Sequence, residues 1–268
     1  MLIGVDFSSS PTRRKPVVVA VGAARGAVVQ LQRLERFRTH EALGAWLAAQ
    51  PAWIGGFDLP FGLPRELVET LGWPLDWPAC IDHYAQMTRP LIRETFAAFC
   101  AQRPAGGKFA HRACDGPAGS SPSMKWVNPP VAWMLHAGVP LLRAAGAVFP
   151  GHQPVAADAA RIALEAYPGL LAREVLGRRS YKSDEAAKQT PERLIARKDL
   201  VEALEQGRTR LERRLKLTPA QHAALVDDAS GDALDAALCL VQAAWASAQP
   251  GWGVPATVDT LEGWIVSA

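Results

Sequence analysis

Apolar positions at the start of the chain come in a consecutive run rather than in alternation. Met1 to Ser10 delivers a single carboxylate, Asp6, into a small polar turn ahead of Pro11. A run of this kind suits a strand buried on both faces. Pro16–Val21 is a β-branched run that predicts a second strand. Ala27–Phe37, after a turn at Arg25-Gly26, predicts a third. Thr39 is placed to cap a helix running to about Gln50, with Glu41 in its first turn and Leu43, Trp46 and Leu47 on one face. Ala52–Leu59 predicts a fourth buried strand that ends in Asp58 and is stopped by Pro60. The order is therefore β, β, β, α, β, with an aspartate at the ends of the first and fourth strands.

Pattern weakens from Pro60 to about Val155. Pro, Gly and Trp are frequent there, and helical patches at Arg65–Leu71, Thr88–Ala101 and Val131–Ala145 are separated by loops. A long insertion of this sort is a functional or covering subdomain. Regular pattern returns at Ala160–Tyr167, a predicted fifth strand carrying Glu165. A basic helical zone follows from Arg173 to Lys216, with 13 Lys/Arg against 8 Asp/Glu. Thr218-Pro219 starts another helix. The last long helix, about Gly231–Ser247, has an apolar body and carries Asp232 and Asp235 in its first turns. Gly263–Val266 is expected to return as a short edge strand. The whole is one α/β domain over 1–268, with a largely irregular or helical insertion at about 60–155.

Composition narrows this picture only a little. The 268 residues are about half apolar, with formal net charge +3, which says little about partners. Four cysteines, Cys80, Cys100, Cys114 and Cys239, make no dense disulfide framework and fit a reducing compartment. Asp6 interrupts the first apolar run, so no signal peptide is expected. His136, Pro140 and Arg143 interrupt the longest apolar stretch, so no membrane span is expected. These features point to a cytoplasmic protein.

Five carboxylates recur at element ends: Asp6, Asp58, Glu165, Asp232 and Asp235. A single aspartate at a strand end is an ordinary turn former, and Asp232 alone would complement a helix N-terminus. Their joint placement on the first, fourth and fifth strands and the final helix points further. Asp232 and Asp235 are three apart and share a helix face. Crowded carboxylates raise one another's pKa unless a cation neutralises them, and hard oxygen ligands suit Mg²⁺ or Mn²⁺. Two such ions would serve phosphodiester cleavage.

The motifs GVDFSSSP at 4–11, GGFDLPFGLP at 55–64, ALEAYPGLL at 163–171 and GDALDAALCLVQAAW at 231–245 resemble those of the domain of unknown function 429 family, described as predicted RNase H-like nucleases. The resemblance spans nearly the whole chain in short islands. It implies a central five-stranded mixed sheet flanked by helices, with acids from the first strand, the fourth strand and the last helix binding divalent metal. On this chain those acids fall on Asp6, Asp58 and Asp232 or Asp235, with Glu165 as a further candidate. The 60–155 insertion departs from the pattern.

Two basic sets could track the backbone of DNA or RNA: Arg89, Arg93, Arg103, Lys108, Arg112 and Lys125 in the insertion, and the Arg173–Lys216 zone. Lys125 and Lys182 stand near turns where they could steady a phosphate. Trp46, Trp53 and Trp245 sit on periodic apolar faces and read as core, whereas Trp73, Trp77 and Trp126 are the candidates for stacking on bases. Cys80-x-x-His83 and His111-x-x-Cys114 could supply four zinc ligands, but they lack the flanking pattern of a zinc module and zinc is not expected. Asp6-x-Ser-Ser-Ser also resembles the first phosphate loop of sugar kinases and actin-like ATPases, where Ser8 and Ser9 would let backbone N–H groups approach phosphate. No second loop of that type follows. The leading expectation is a metal-dependent nuclease, with an ATP-binding phosphotransferase or a non-catalytic binding module as alternatives.

Overall fold

The apolar opening run is a central strand, paired along both edges and buried on both faces, as its lack of alternation requires. The structure, a computed structural model, describes residues 1–104 and 106–268. β1 (Leu2–Asp6) leads to a hairpin of β2 (Val17–Arg25) and β3 (Val28–Phe37), which turns at Gly26 with φ 59°. Thr39 then caps α1 (His40–Ala49), its hydroxyl accepting from the Ala42 amide at 3.1 Å, and the chain enters β4 (Trp53–Phe57). Five helices precede the next strand: α2 (Arg65–Thr70), α3 (Trp77–Gln86), α4 (Arg89–Ala101), α5 (Asp115–Ala118) and α6 (Val131–Ala144). After β5 (Arg161–Glu165) come α7 (Pro168–Leu176), α8 (Pro191–Gln206), β6 (Arg214–Lys216), α9 (Pro219–Asp227) and α10 (Asp232–Ala246).

The sheet order is β5-β4-β1-β2-β3-β6. β2 is antiparallel to both its neighbours and every other adjacent pair is parallel. This is a mixed α/β sheet flanked by helices. Its first five strands lie where the apolar runs placed them, and the sixth corrects the expectation of a helical zone from Arg173 to Lys216. Gly207, at φ 69°, ends α8 in a left-handed cap. The chain then reaches the free edge of β3, where the Arg214 amide donates to the Ala27 carbonyl at 2.8 Å. The expected tail strand is a single bridge, Ile265 to Glu165 on the outer edge of β5.

The two faces of the sheet bury different partners. Ile3, Val5 and Phe57 point into the larger cluster, which includes Leu43 and Leu47 of α1. Leu2, Val18 and Ala20 point into the cluster built on α10. The 60–155 segment is more ordered than its sequence suggested, because its aromatics extend the larger cluster. Phe149 lies 5.1 Å from Phe61 and 5.0 Å from Trp77, ring centre to ring centre. The Trp77 indole donates to the Phe61 carbonyl at 2.8 Å, and the Tyr84 hydroxyl to the Ala132 carbonyl at 3.1 Å. The 60–155 segment is thus a helical layer over one face of the sheet. Among the described residues no helix is long and apolar enough to cross a membrane.

His152 ties this layer to the C-terminal segment. Its ring stacks on Trp77 at 4.4 Å, and Nδ1 bonds the Thr260 carbonyl at 2.8 Å. Nε2 has no partner, and burial pushes the imidazole down to about 3. The unfolded chain therefore binds a proton below about pH 6.5 that the folded chain refuses. Relative to His152→Asn, the wild type should lose about 3 kcal/mol of stability between pH 7.5 and pH 4.5. Urea melts of both proteins at the two pH values measure this. A gap that does not change with pH would mean that His152 takes up its proton normally in the fold.

Candidate metal centre

Strand parity decides which of the acids meet. β1 and β4 are parallel and in register, Gly4 opposite Gly56 and Val5 opposite Phe57. Successive side chains alternate between faces, so positions 4 and 6 of β1 share a face with positions 56 and 58. That face belongs to α10. A Cβ on Gly4 would stand 2.1 Å from both the Ala236 carbonyl oxygen and the Leu240 amide nitrogen, and one on Gly56 would stand 2.5 Å from the Cys239 carbonyl oxygen. The helix therefore rests on bare backbone. The next residue along this face is an aspartate in each strand. Asp235 precedes Ala236 on the side of α10 that meets the sheet. One oxygen each from Asp6, Asp58 and Asp235 lie within 4.8 Å of one another, at the C-terminal edge of the parallel strands.

Asp235 is fully buried, and both its oxygens are taken. Oδ1 accepts from the Tyr181 hydroxyl at 2.5 Å, and Oδ2 accepts from the Lys182 ammonium. Among the described residues the side chains of Asp6 and Asp58 accept no hydrogen bond from the protein, and Asp58 lines two adjoining openings. Burial, with Asp235 and Asp232 nearby, holds the Asp6 carboxyl well above the usual carboxylate range. Burial likewise pushes Asp58 up to about 7, against the opposing pull of Lys182. Burial works against the charge on Lys182, yet Asp235, Tyr181, Asp6 and Asp58 hold its ammonium well above the ordinary lysine value.

Two of the five expected ligands lie outside this group. Glu165 is opposite Phe57, so it shares the other face of the sheet. There Arg112 donates to its two oxygens at 2.7 and 2.6 Å, and the Phe61 amide donates at 2.9 Å. Arg112 also holds Asp115, making a buried triad. Moving Glu165 onto a metal would strand a buried guanidinium, a loss of several kcal/mol, so its place as a ligand is corrected to a structural one. Asp232 sits one turn earlier on α10, 3.5 Å from Lys15, whose ammonium also holds Asp184 at 2.5 Å. Burial raises Asp232, and Lys15 opposes the rise.

The remaining expectations divide. Ser8 and Ser9 follow Asp6 in the turn, which is held by their carbonyls, against the His40 ring nitrogen at 2.8 Å and the Arg89 guanidinium at 2.7 Å. Lys125 does not reach the cavity beside Asp58; its carbonyl accepts from the Ala132 amide at 2.9 Å. Within the first basic set, Arg112 is buried in its triad and Arg103 is paired with Glu66. Trp77 is buried, while Trp73 and Trp126 pack on Phe96, so none of the three stands free as a stacking platform. Cys80 belongs to the large cluster and Cys114 to a small separate one with Ala118 and Ile265, so the two Cys/His pairs do not build one zinc site.

Tyr181 was not singled out from the sequence, and Arg112 was placed there in a set facing nucleic acid rather than against Glu165. The signal that could have sorted the acids is the repeated Gly-x-Asp of Gly4-Val5-Asp6 and Gly56-Phe57-Asp58, absent at Glu165.

Two openings meet at Asp58 and Tyr167. One is a mostly apolar cavity of about 60 Å³ walled by Met134, Val131, Ser120 and Ser121. The other is a groove of about 200 Å³ lined by Arg173, Arg179 and Lys182. Comparison of the chain with protein-family models, with curated proteins and with solved structures finds no match.

Proposed function

We propose that this chain has an RNase H-like fold and is a divalent-metal-dependent hydrolase of phosphodiester bonds in nucleic acid. The observation that carries this reading is the convergence of Asp6, Asp58 and Asp235 within 4.8 Å, from the first strand, the fourth strand and the last helix. That is the placement implied by the family resemblance.

The donor set fits the ion. Three hard carboxylate oxygens suit Mg²⁺ or Mn²⁺, and burial without protein donors leaves Asp6 and Asp58 in want of positive charge. An ion there would supply Lewis acidity to a water and to a phosphoryl oxygen. The chain's own groups do the rest. Asp6 and Asp58 hold their oxygens at a common strand edge, Tyr181 fixes the rotamer of Asp235, and Arg173 and Arg179 line a groove suited to a phosphate chain.

The test is cleavage of labelled DNA and RNA, single- and double-stranded, with Mn²⁺, with Mg²⁺ and with EDTA. Cleavage is expected only with metal. Binding measured in Ca²⁺ should weaken steeply between 50 and 200 mM salt, as counterion release requires. ATP turnover without nucleic-acid cleavage would favour the phosphotransferase alternative instead.

A further inference from the structure

Lys182 occupies the side of the carboxylate cluster that a metal would also need. Its ammonium donates to Asp235 Oδ2, while the neighbouring Tyr181 takes Oδ1, so this third acid has no free oxygen. The segment that delivers both groups is fastened independently of Asp235. The buried Arg197 donates to the Tyr181 carbonyl at 2.8 Å and to the Val226 carbonyl at 2.6 Å, and the Ser183 amide donates to the Ala229 carbonyl at 3.0 Å. Gly231, at φ 79°, leaves room for the lysine stem, because a Cβ there would stand 2.7 Å from Lys182 Cβ. The lysine side chain is nonetheless 42% exposed and lines the groove with Arg173 and Arg179, so it has somewhere to go.

Three carboxylates in one cleft repel unless a positive charge sits among them. Here the chain provides that charge itself, on a flexible four-carbon tether. We propose that Lys182 is a built-in cation that competes with the divalent ion for Asp235, so that the ion gains its third ligand only when the ammonium swings into the groove. The proposal rests on the cluster being a metal centre. It goes further in assigning Lys182 to holding the site in the absence of the ion and to limiting the ion's affinity. Because like charges a few ångströms apart interact strongly in a partly buried site, removing the ammonium should tighten ion binding more than tenfold.

Mn²⁺ titration of the full chain, followed by the paramagnetic resonance of the free ion, tests this on wild type, Lys182→Gln and Lys182→Arg. Lys182→Gln is expected to bind Mn²⁺ at least tenfold more tightly than wild type, and Lys182→Arg, which keeps the charge, to bind it much as wild type does. Without metal, Lys182→Gln should melt below wild type, and saturating Mn²⁺ should close the gap. A measurement on the unchanged chain guards against a variant that does not fold. The Lys182 Cε resonance, assigned by its loss in Lys182→Arg, should shift on saturation with Mg²⁺. Equal or weaker Mn²⁺ binding by Lys182→Gln, or an unmoved Cε resonance, overturns the competition and leaves the metal centre standing. Absence of Mn²⁺ binding in all three proteins overturns both.

Discussion

Replacing Gly4 by alanine is expected to destabilise the protein by about 5 kcal/mol or more, against the ~1–3 kcal/mol usual for an overpacked core. The usual figure applies where a crowded side chain can change rotamer. Here the added methyl would lie 2.1 Å from a carbonyl oxygen and 2.1 Å from an amide nitrogen of α10, both main-chain atoms. Relief requires the helix to lift off the sheet. That helix is almost entirely buried and packs on β1, β2 and β4 at once. Lifting it also carries Asp235 away from Asp6 and Asp58. Gly116→Ala is the matched control, since a methyl there meets nothing within 4 Å and the residue lies in α5; it should be neutral or slightly stabilising. Urea melts of the three proteins give the comparison. A Gly4→Ala midpoint equal to wild type would mean that α10 stands off the sheet.

The same close approach explains why strands and acids were partly legible in the sequence. Central strands buried on both faces must be apolar throughout, so the runs at Leu2–Asp6, Val17–Val21 and Trp53–Phe57 announced themselves. A carboxylate closing such a run stands out, because burying it alone is costly. Asp6 and Asp58 were identifiable on that ground. Glu165 closes a run of the same kind and misled for the same reason. What separates it is parity, which depends on register between strands and therefore on pairing that a run of apolar residues does not encode. Glycine carried the missing information. Gly4 and Gly56 mark the face on which a helix rests, and the aspartate two residues later must lie on that face.

Other features were hidden because their partners are distant in sequence. Arg112 has the look of a surface arginine until Glu165, 53 residues away, closes on it. Tyr181 acquires a role only from Asp235, more than 50 residues on, and Lys182, expected to steady a phosphate, pairs with the same carboxylate. β6 is three residues long and has one buried side chain, Leu215, too little for any pattern to show. In the 60–155 segment, α3 was obscured by a proline. Pro78 lies at the first turn of α3, as Pro90 does in α4, which was expected over Thr88–Ala101; the missing N–H costs nothing there, so such a proline marks a helix start rather than irregular chain.

Asp6→Asn is expected to lower metal-dependent cleavage by at least about 10²-fold while leaving the fold as stable as wild type or more so. Loss of a group that merely orients a metal ligand commonly costs 10–100-fold, and Asp6 would be a ligand itself. The stability expectation follows from the direction of its shift. Burial first, then Asp235 and Asp232, raise the folded-state pKa of Asp6 above its unfolded value. Between those two values the folded chain holds a proton that the unfolded chain has released. Stability contributed by Asp6 is therefore present at low pH and is lost as pH rises through the folded pKa. Asparagine has no such dependence and is nearly the same shape. Without metal, the variant should gain on wild type as pH rises from 5 to 8, because there only wild type loses stability as its unfolded chain releases a proton that the folded carboxyl holds more tightly. Adding Mn²⁺ should reverse the order, raising the melting temperature of wild type by more than that of the variant. Paired melts at both pH values, with and without Mn²⁺, and a cleavage assay on the same samples decide it. A variant that cleaves at the wild-type rate removes Asp6 from the metal centre. A variant that is less stable at every pH makes Asp6 a turn residue whose carboxylate the fold needs for itself.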